Sequence, residues 1–313
     1  MHDTTHDAAN GAANSAANSA ANSANPVLSG GTFYLVLVVL TSWRLLRRTV
    51  RFALTVSKKF FIDQFLYRRA LRAGSPNAPD MRNIEHPLDA RVPIRYETIA
   101  TYLGFVQMWI SALSYVRRRE GRGFNDAILD FLTGLERCYV DAAGVYGQCL
   151  STTRRPERSP NPRLAFVYAV DPHLFCVPSL HVLVVCYTYR KLADILAERG
   201  LHDRYAVELA ALRDRATAIT ESILYVRQHS VNCIPTALSM LQVILPSYDE
   251  AEARSFLGTL FVSDAAIAVD DRAEIGSYMV SLLSSLNTQA DGQSGRYGAI
   301  VRFLKSYPEM AQS

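Results

Sequence analysis

The sequence predicts an all-α fold, a helical bundle. Three observations carry this. Apolar residues recur at steps of three and four, as in Ile99, Tyr102, Leu103, Val106, Ile110, Leu113 and Val116. No run of alternating, β-branched residues bounded by hairpin turns occurs. The most apolar stretch, around 175–189, is uncharged over about 15 residues, a length that suits a buried core helix better than a membrane span.

The elements follow in order. Residues 1–31 repeat Ala-Ala-Asn-Ser and then run into Ser-Gly-Gly. Almost no charge or bulky apolar group is present, so there is nothing to bury, and the segment reads as a disordered tail. Residues 32–72 come next. Phe33–Trp43 is uncharged and very apolar, about half the roughly 20 residues that a span needs. Beyond it lie Arg44, Arg47, Arg48, Arg51, Lys58, Lys59, Arg68, Arg69 and Arg72 against a single acid, Asp63. The stretch reads either as an anchor at an anionic membrane surface or as a core helix with a solvated basic face. Residues 73–93 are rich in Pro, Asp and Asn and read as a linker. Residues 94–313 then form the main helical domain. Helices are expected over about 95–118, 124–150, 178–199, 203–232, 235–246, 249–263, 272–287 and 294–306. A Pro/Arg-rich loop is expected between the second and third.

Composition narrows the classes. The 313 residues are 49% hydrophobic and 20% charged, low in apolar content for a polytopic membrane protein. The net charge of +4 favours anionic partners, and no zinc-ligand spacing or basic–aromatic alternation points to nucleic acid. The five cysteines lie in apolar surroundings without a CxxC, so they read as buried free thiols in a reducing compartment. No secretory signal is recognisable.

The candidate chemistry sits at three places. In Cys176–Val182, CVPSLHV, Ser179 caps the helix that follows and His181 falls in its first turn. A serine hydroxyl beside free backbone N–H groups can hold phosphate. In ESILYVRQHSVNC, Ser222 lies seven residues before His229, so a continuous helix would place both on one face. In QCLSTTRRP, Gln148 lies seven residues before Arg155, whose guanidinium could hold phosphate bidentately. Three weaker features read as structural. His173 is a loop or capping residue, His202 faces solvent, and Asp270, Asp271 and Glu274 charge the start of a helix.

These pieces resemble the superfamily of type 2 phosphatidic acid phosphatases and vanadium haloperoxidases. Its pattern is K-x6-R-P, then P-S-G-H, then S-R-x5-H-x3-D. The chain reads Gln148-x6-Arg155-Pro156, Pro178-Ser179-Leu180-His181 and Ser222-Ile223-x5-His229-x3-Cys233, in the same order. The match covers about 148–240. PSLH is similar to the lipid phosphotransferase branch that includes inositol phosphorylceramide synthases.

The resemblance implies a helical core of that superfamily and a phosphohistidine mechanism. His229 would be the nucleophile and His181 the general acid. Arg155, Ser179, Leu180, Gln148 and Ser222 would surround the phosphate, with Arg227 and Cys233 as auxiliary groups. The implied substrate is a phosphorylated lipid or small phosphoester, with no metal or cofactor. The implied location is membrane-associated, on the cytoplasmic side or an inner membrane, with the cytoplasm as the alternative.

Four positions depart from the pattern. Gln148 replaces Lys, Leu180 replaces Gly, Ile223 replaces Arg and Cys233 replaces Asp. The last removes the carboxylate that orients the nucleophile. In a serine-protease triad, losing that orienter costs on the order of 10⁴ in rate. A neutral thiol is a weak acceptor, which leaves Asn232 or a residue from elsewhere to take the role. Two readings follow. The chain is a divergent lipid phosphatase or phosphotransferase with a rebuilt site, or it keeps the fold as a catalytically inactive phosphate- or lipid-binding or structural protein.

Overall fold

The structure is a computed structural model that describes residues 27–28, 31–156, 160–289 and 295–308. Nearly all of the tail assigned to 1–31 lies outside these residues. The described chain is predominantly α-helical, as the periodicity predicts.

The first helices are α1 (Thr32–Leu40), α2 (Trp43–Val56) and α3 (Asp63–Arg72). A π-helical turn, Ser57–Ile62, joins the last two into one rod. The rod packs through Leu45 and Phe52 onto the main core, where Phe52 meets Trp109 and Tyr139 edge-on. Next come α4 (Ile99–Tyr102), α5 (Phe105–Glu120), α6 (Asn125–Tyr146), α7 (Pro162–Val170) and α8 (Leu180–Glu198). The chain continues through α9 (Ala206–Tyr225), α10 (Cys233–Ile244), α11 (Glu250–Leu257), α12 (Val269–Thr288) and α13 (Gly298–Ser306). The central member is α8. Its run from Val182 to Tyr189 is buried, and it contacts α5, α6, α9 and α10. All five cysteines are free and buried. No single helix among the described residues is long and apolar enough to cross a membrane. The bent pair Tyr96–Tyr102 and Phe105–Tyr146 passes that test jointly, but Met108, Trp109 and Leu113 in it are buried in the core.

Three expectations need correction. The segment 73–93 is not a free linker. It forms β1 (Asp80–Asn83), paired in parallel with β2 (Cys149–Thr152), and then a 3₁₀ turn at Pro87–Arg91. Ile84 and Leu88 anchor it in the core, and Arg91 reaches Asp271 at 2.8 Å. Sequence periodicity misses such short strands because one four-residue pairing needs no alternating pattern. The helix expected over 95–118 breaks at Leu103–Gly104. The helix expected over 203–232 ends at Tyr225. There Arg227 takes a left-handed conformation, φ 55°, and the N–H groups of Gln228 and His229 both turn back to the Ile223 carbonyl. That geometry is usual at helix C-termini, but glycine normally supplies it.

The contact of α6 with α8 is close. A Cβ at Gly134 would stand 2.2 Å from the Tyr187 hydroxyl, which donates to the Phe131 carbonyl at 2.8 Å. Gly134→Ala is expected to cost about 1–3 kcal/mol by overpacking. Urea unfolding would show it, and adding Tyr187→Phe should recover part of the loss. An unchanged midpoint in Gly134→Ala would contradict the contact.

Candidate functional site

The site is assembled where β2 meets the start of α8. Ser151 on β2 donates its N–H to the Leu174 carbonyl, and its Oγ accepts from the Val177 N–H at 2.7 Å. The Tyr146 hydroxyl donates to the Pro178 carbonyl at 2.6 Å. These bonds fix the strand-like lead into α8. Ser179 is the N-cap. Its hydroxyl accepts from the Val182 N–H at 3.5 Å, and its carbonyl takes the Leu183 N–H. The N–H groups of Leu180 and His181 are then the first two of the helix, which have no intrahelical acceptor.

His181 projects from this first turn. Its ring stacks on Tyr102 and tilts against Phe105, each with centroids 4.3 Å away. His229 comes from the turn after α9. Its Nδ1 lies 3.2 Å from the Cys176 carbonyl. A carbonyl only accepts, so Nδ1 carries the proton and Nε2 keeps a free lone pair. The two imidazoles are 5.6 Å apart and line one narrow cleft of about 40 Å³, space for a small anion or a few waters.

Beside them the expected Arg155 meets two polar residues that sequence spacing does not reveal, Asp171 and Gln228. Arg155 donates to the Asp171 carboxylate, to the Asp171 carbonyl at 3.0 Å and to Gln228 Oε1. Its guanidinium also lies 5.0 Å from the centre of the Tyr168 ring. Asp171 further accepts from Gln64 Nε2 at 2.8 Å and from the His173 N–H at 3.0 Å. Arg155 fixes the orientation of the Gln228 amide, because arginine only donates. Gln228 Nε2 is buried without a close acceptor among the described residues, with the Tyr168 hydroxyl within reach. His173, the presumed loop residue, is buried with φ 59° and sits 2.8 Å from Thr153 Oγ1. Asp171, His173 and Gln228 all line the cleft.

The electrostatics keep the imidazoles neutral. Burial, and then the neighbouring His229, push His181 down to about 3, with Asp171 pulling the other way. Its place at a helix N-terminus acts in the same sense as the burial. Burial pushes His229 down to about 4, against the Cys176 carbonyl and Asp171. Burial and the Arg155 charge push His173 to about 3. The unfolded chain therefore takes up these protons first, and the three groups lower stability as pH falls from about 6.5 towards those values. Burial alone would raise the Asp171 carboxyl, but Arg155 and the hydrogen bonds hold it below the usual range.

Several residues expected at the site lie elsewhere. Gln148 is exposed, donates to the Gly144 carbonyl, and lines a separate surface hollow with Lys305. Ser222 lies inside α9 and spends its hydroxyl on the Ile219 carbonyl, and the helix that would align it with His229 ends at Tyr225. Arg227 donates to the carbonyls of Asp89 and Val92, so it staples the turn to the 3₁₀ segment and does not face the cleft. The Cys233 thiol accepts from the Ser230 N–H, and its carbonyl accepts from the Ser179 N–H at 3.4 Å. Asn232 donates to the Ile84 carbonyl and the Tyr307 hydroxyl, and accepts from Tyr278. Neither Cys233 nor Asn232 orients His229; the Cys176 carbonyl does. Asp89 supports the same turn by accepting from the Val231 N–H at 2.8 Å, and burial raises its carboxyl to about 6. Its proton binds the folded state first, so it opposes the histidines in the pH range below 6.

No protein-family model matches the chain, and neither the curated proteins nor the solved structures hold a significant match.

Arg155 and Asp171 are mostly shielded, with side-chain exposures of 14% and 28%. Removing one partner strands the other. Arg155→Met is expected to destabilise the fold by about 3 kcal/mol at neutral pH. The depressed Asp171 carboxyl contributes stability above its unfolded value near 3.9, so the loss should shrink as pH falls below about 4. Urea midpoints at the two pH values check this. A pH-independent loss would contradict the pairing.

Proposed function

We propose that the chain is a divergent lipid phosphatase or phosphotransferase, acting on a phosphomonoester or phospholipid headgroup through a phosphohistidine on His229. The observation that carries this reading is the pairing of His181 and His229 in one cleft, with His229 Nδ1 tied to the Cys176 carbonyl. That bond leaves Nε2 as an unprotonated nucleophile at neutral pH. Further support comes from the first-turn N–H groups of α8, the Gln228 amide and Arg155, which are donors suited to oxyanion charge.

His229 Nε2 attacks phosphorus, and the bond from phosphorus to the leaving oxygen breaks. His181 gives that oxygen a proton. A phosphomonoester monoanion can bring this proton in, since its second ionisation lies near pH 6. It passes from the phosphoryl oxygen to His181, whose ring becomes cationic next to the bound anion. Water or an acceptor alcohol then attacks the phosphohistidine and gives its proton to His181, the bond from phosphorus to His229 breaks, and His181 returns to neutrality by passing that proton to the departing phosphoryl product. Gln148, Ser222, Arg227 and Cys233 take no part in this scheme. Ser179 acts by capping α8.

A second reading has its own support. Arg155 is already neutralised by Asp171, and the low basicity of His181 leaves it without a transferable proton until an anion arrives. Both features count against turnover and suit a protein that keeps the cleft without the reaction.

A labelling experiment separates the two. The full chain is mixed with radiolabelled phosphatidate in mixed micelles, or with a soluble labelled phosphomonoester, and quenched in base. The proposal predicts label on wild type and none on His229→Ala, whose turnover should fall by at least about 10³. No label and no phosphate release with either probe would overturn it and favour the second reading.

A further inference from the structure

The rod formed by α2, the π turn and α3 has two faces. One is packed: Leu45 and Phe52 are buried, and Thr55 donates to Glu136 at 2.6 Å. The other carries large apolar side chains in solvent. Trp43 is 74% exposed, Leu54 66%, Phe61 55% and Phe65 52%. The helix before it, α1, adds Phe33 and Leu40 on its own exposed side. Cations are interleaved with them. Arg47, Arg51, Leu54, Lys58, Phe61, Phe65, Arg69 and Arg72 follow one another in steps of three and four, which is one side of a helix. Arg47, Lys58, Arg69 and Arg72 are exposed and have no ion pair among the described residues. The single acid on the rod, Asp63, is taken by Lys59.

This face is long and both greasy and cationic, so its complement is a surface with acyl chains below and negative charge above. A second copy of the chain fits less well, because a symmetric contact would set these unpaired cations against themselves. The rod is also a wall of the cleft. Phe60 and Gln64, each one position before Phe61 and Phe65, line it; Phe60 lies 5.9 Å from Phe175 and Gln64 bonds to Asp171.

We infer that the exposed face of α1 to α3 lies on an anionic bilayer and holds the His181–His229 cleft at headgroup level, so that substrate enters from the membrane. The membrane contact stands by itself; only the delivery of substrate rests on the proposed reaction.

The test is flotation of the full chain with vesicles of phosphatidylcholine alone, and of equal parts phosphatidylcholine and phosphatidylserine. Wild type should float with the anionic vesicles only, and less so at high salt. Phe61→Glu with Phe65→Glu, and separately Arg47→Glu with Lys58→Glu, should each reduce the bound fraction at least about tenfold. Turnover of the soluble phosphomonoester without lipid should be unchanged in both. Vesicle binding with no turnover of any probe would retain the contact and sink the proposed reaction. Failure to float with anionic vesicles, equal partition to both vesicle types, or a solution dimer that buries Phe61 and Phe65 would each overturn the inference.

Discussion

The hydrogen bond from His229 Nδ1 to the Cys176 carbonyl is the constraint around which the site is arranged. It ties two segments that are far apart in sequence, the lead into α8 and the turn after α9. Other bonds run the same way. The Cys176 thiol faces the Gln228 carbonyl, and the Ser179 N–H meets the Cys233 carbonyl. Behind them, β2 holds the lead into α8 through Ser151, while the segment containing Asp89 holds the turn through Val231 and Arg227. The short parallel β1–β2 pair therefore joins two supports of one cleft. A backbone carbonyl fixes an imidazole tautomer as a carboxylate would, but it gives less help to a cationic ring. This is consistent with the proposed role of His229 as a neutral nucleophile.

Charge in the cleft is balanced before any ligand arrives. Arg155 is paired with Asp171, and burial keeps the three imidazoles neutral at pH 7. On the proposed reading, such a site would receive an anion that brings its own proton. Bound phosphate would compete with Asp171 for Arg155 and raise the basicity of His181. The exposed aromatic and cationic rod beside the cleft extends the same logic to the partner surface.

The sequence made parts of this legible. The Pro178–Ser179 pair announces the start of α8, and apolar spacing places most helices within a few residues. Those signals are local, and the physics behind them is local capping and burial. Ser222 and His229 do not share a helix face, because helical periodicity does not extend through 226–232. A non-glycine residue, Arg227, takes the left-handed position there, and nothing in its side chain advertises this. Gln148 and Arg155 share a seven-residue spacing, but the intervening strand Cys149–Thr152 is extended and leaves the two side chains in different places. Asp171 and Gln228 could not be found by spacing, since their roles exist only once Arg155 has folded onto both. A weak signal was present in retrospect: VDPHLF sets a carboxylate and an imidazole just ahead of the Ser179 cap.

The central claim is that His229 presents an unprotonated Nε2 to the cleft. Nitrogen-detected NMR of the ligand-free protein, with the ring labelled, reads the tautomer directly. The account predicts a neutral ring at pH 7 with its proton on Nδ1, and a rise in the apparent pKa of His181 when inorganic phosphate is added. A proton on Nε2, or an imidazolium at that pH, would contradict it.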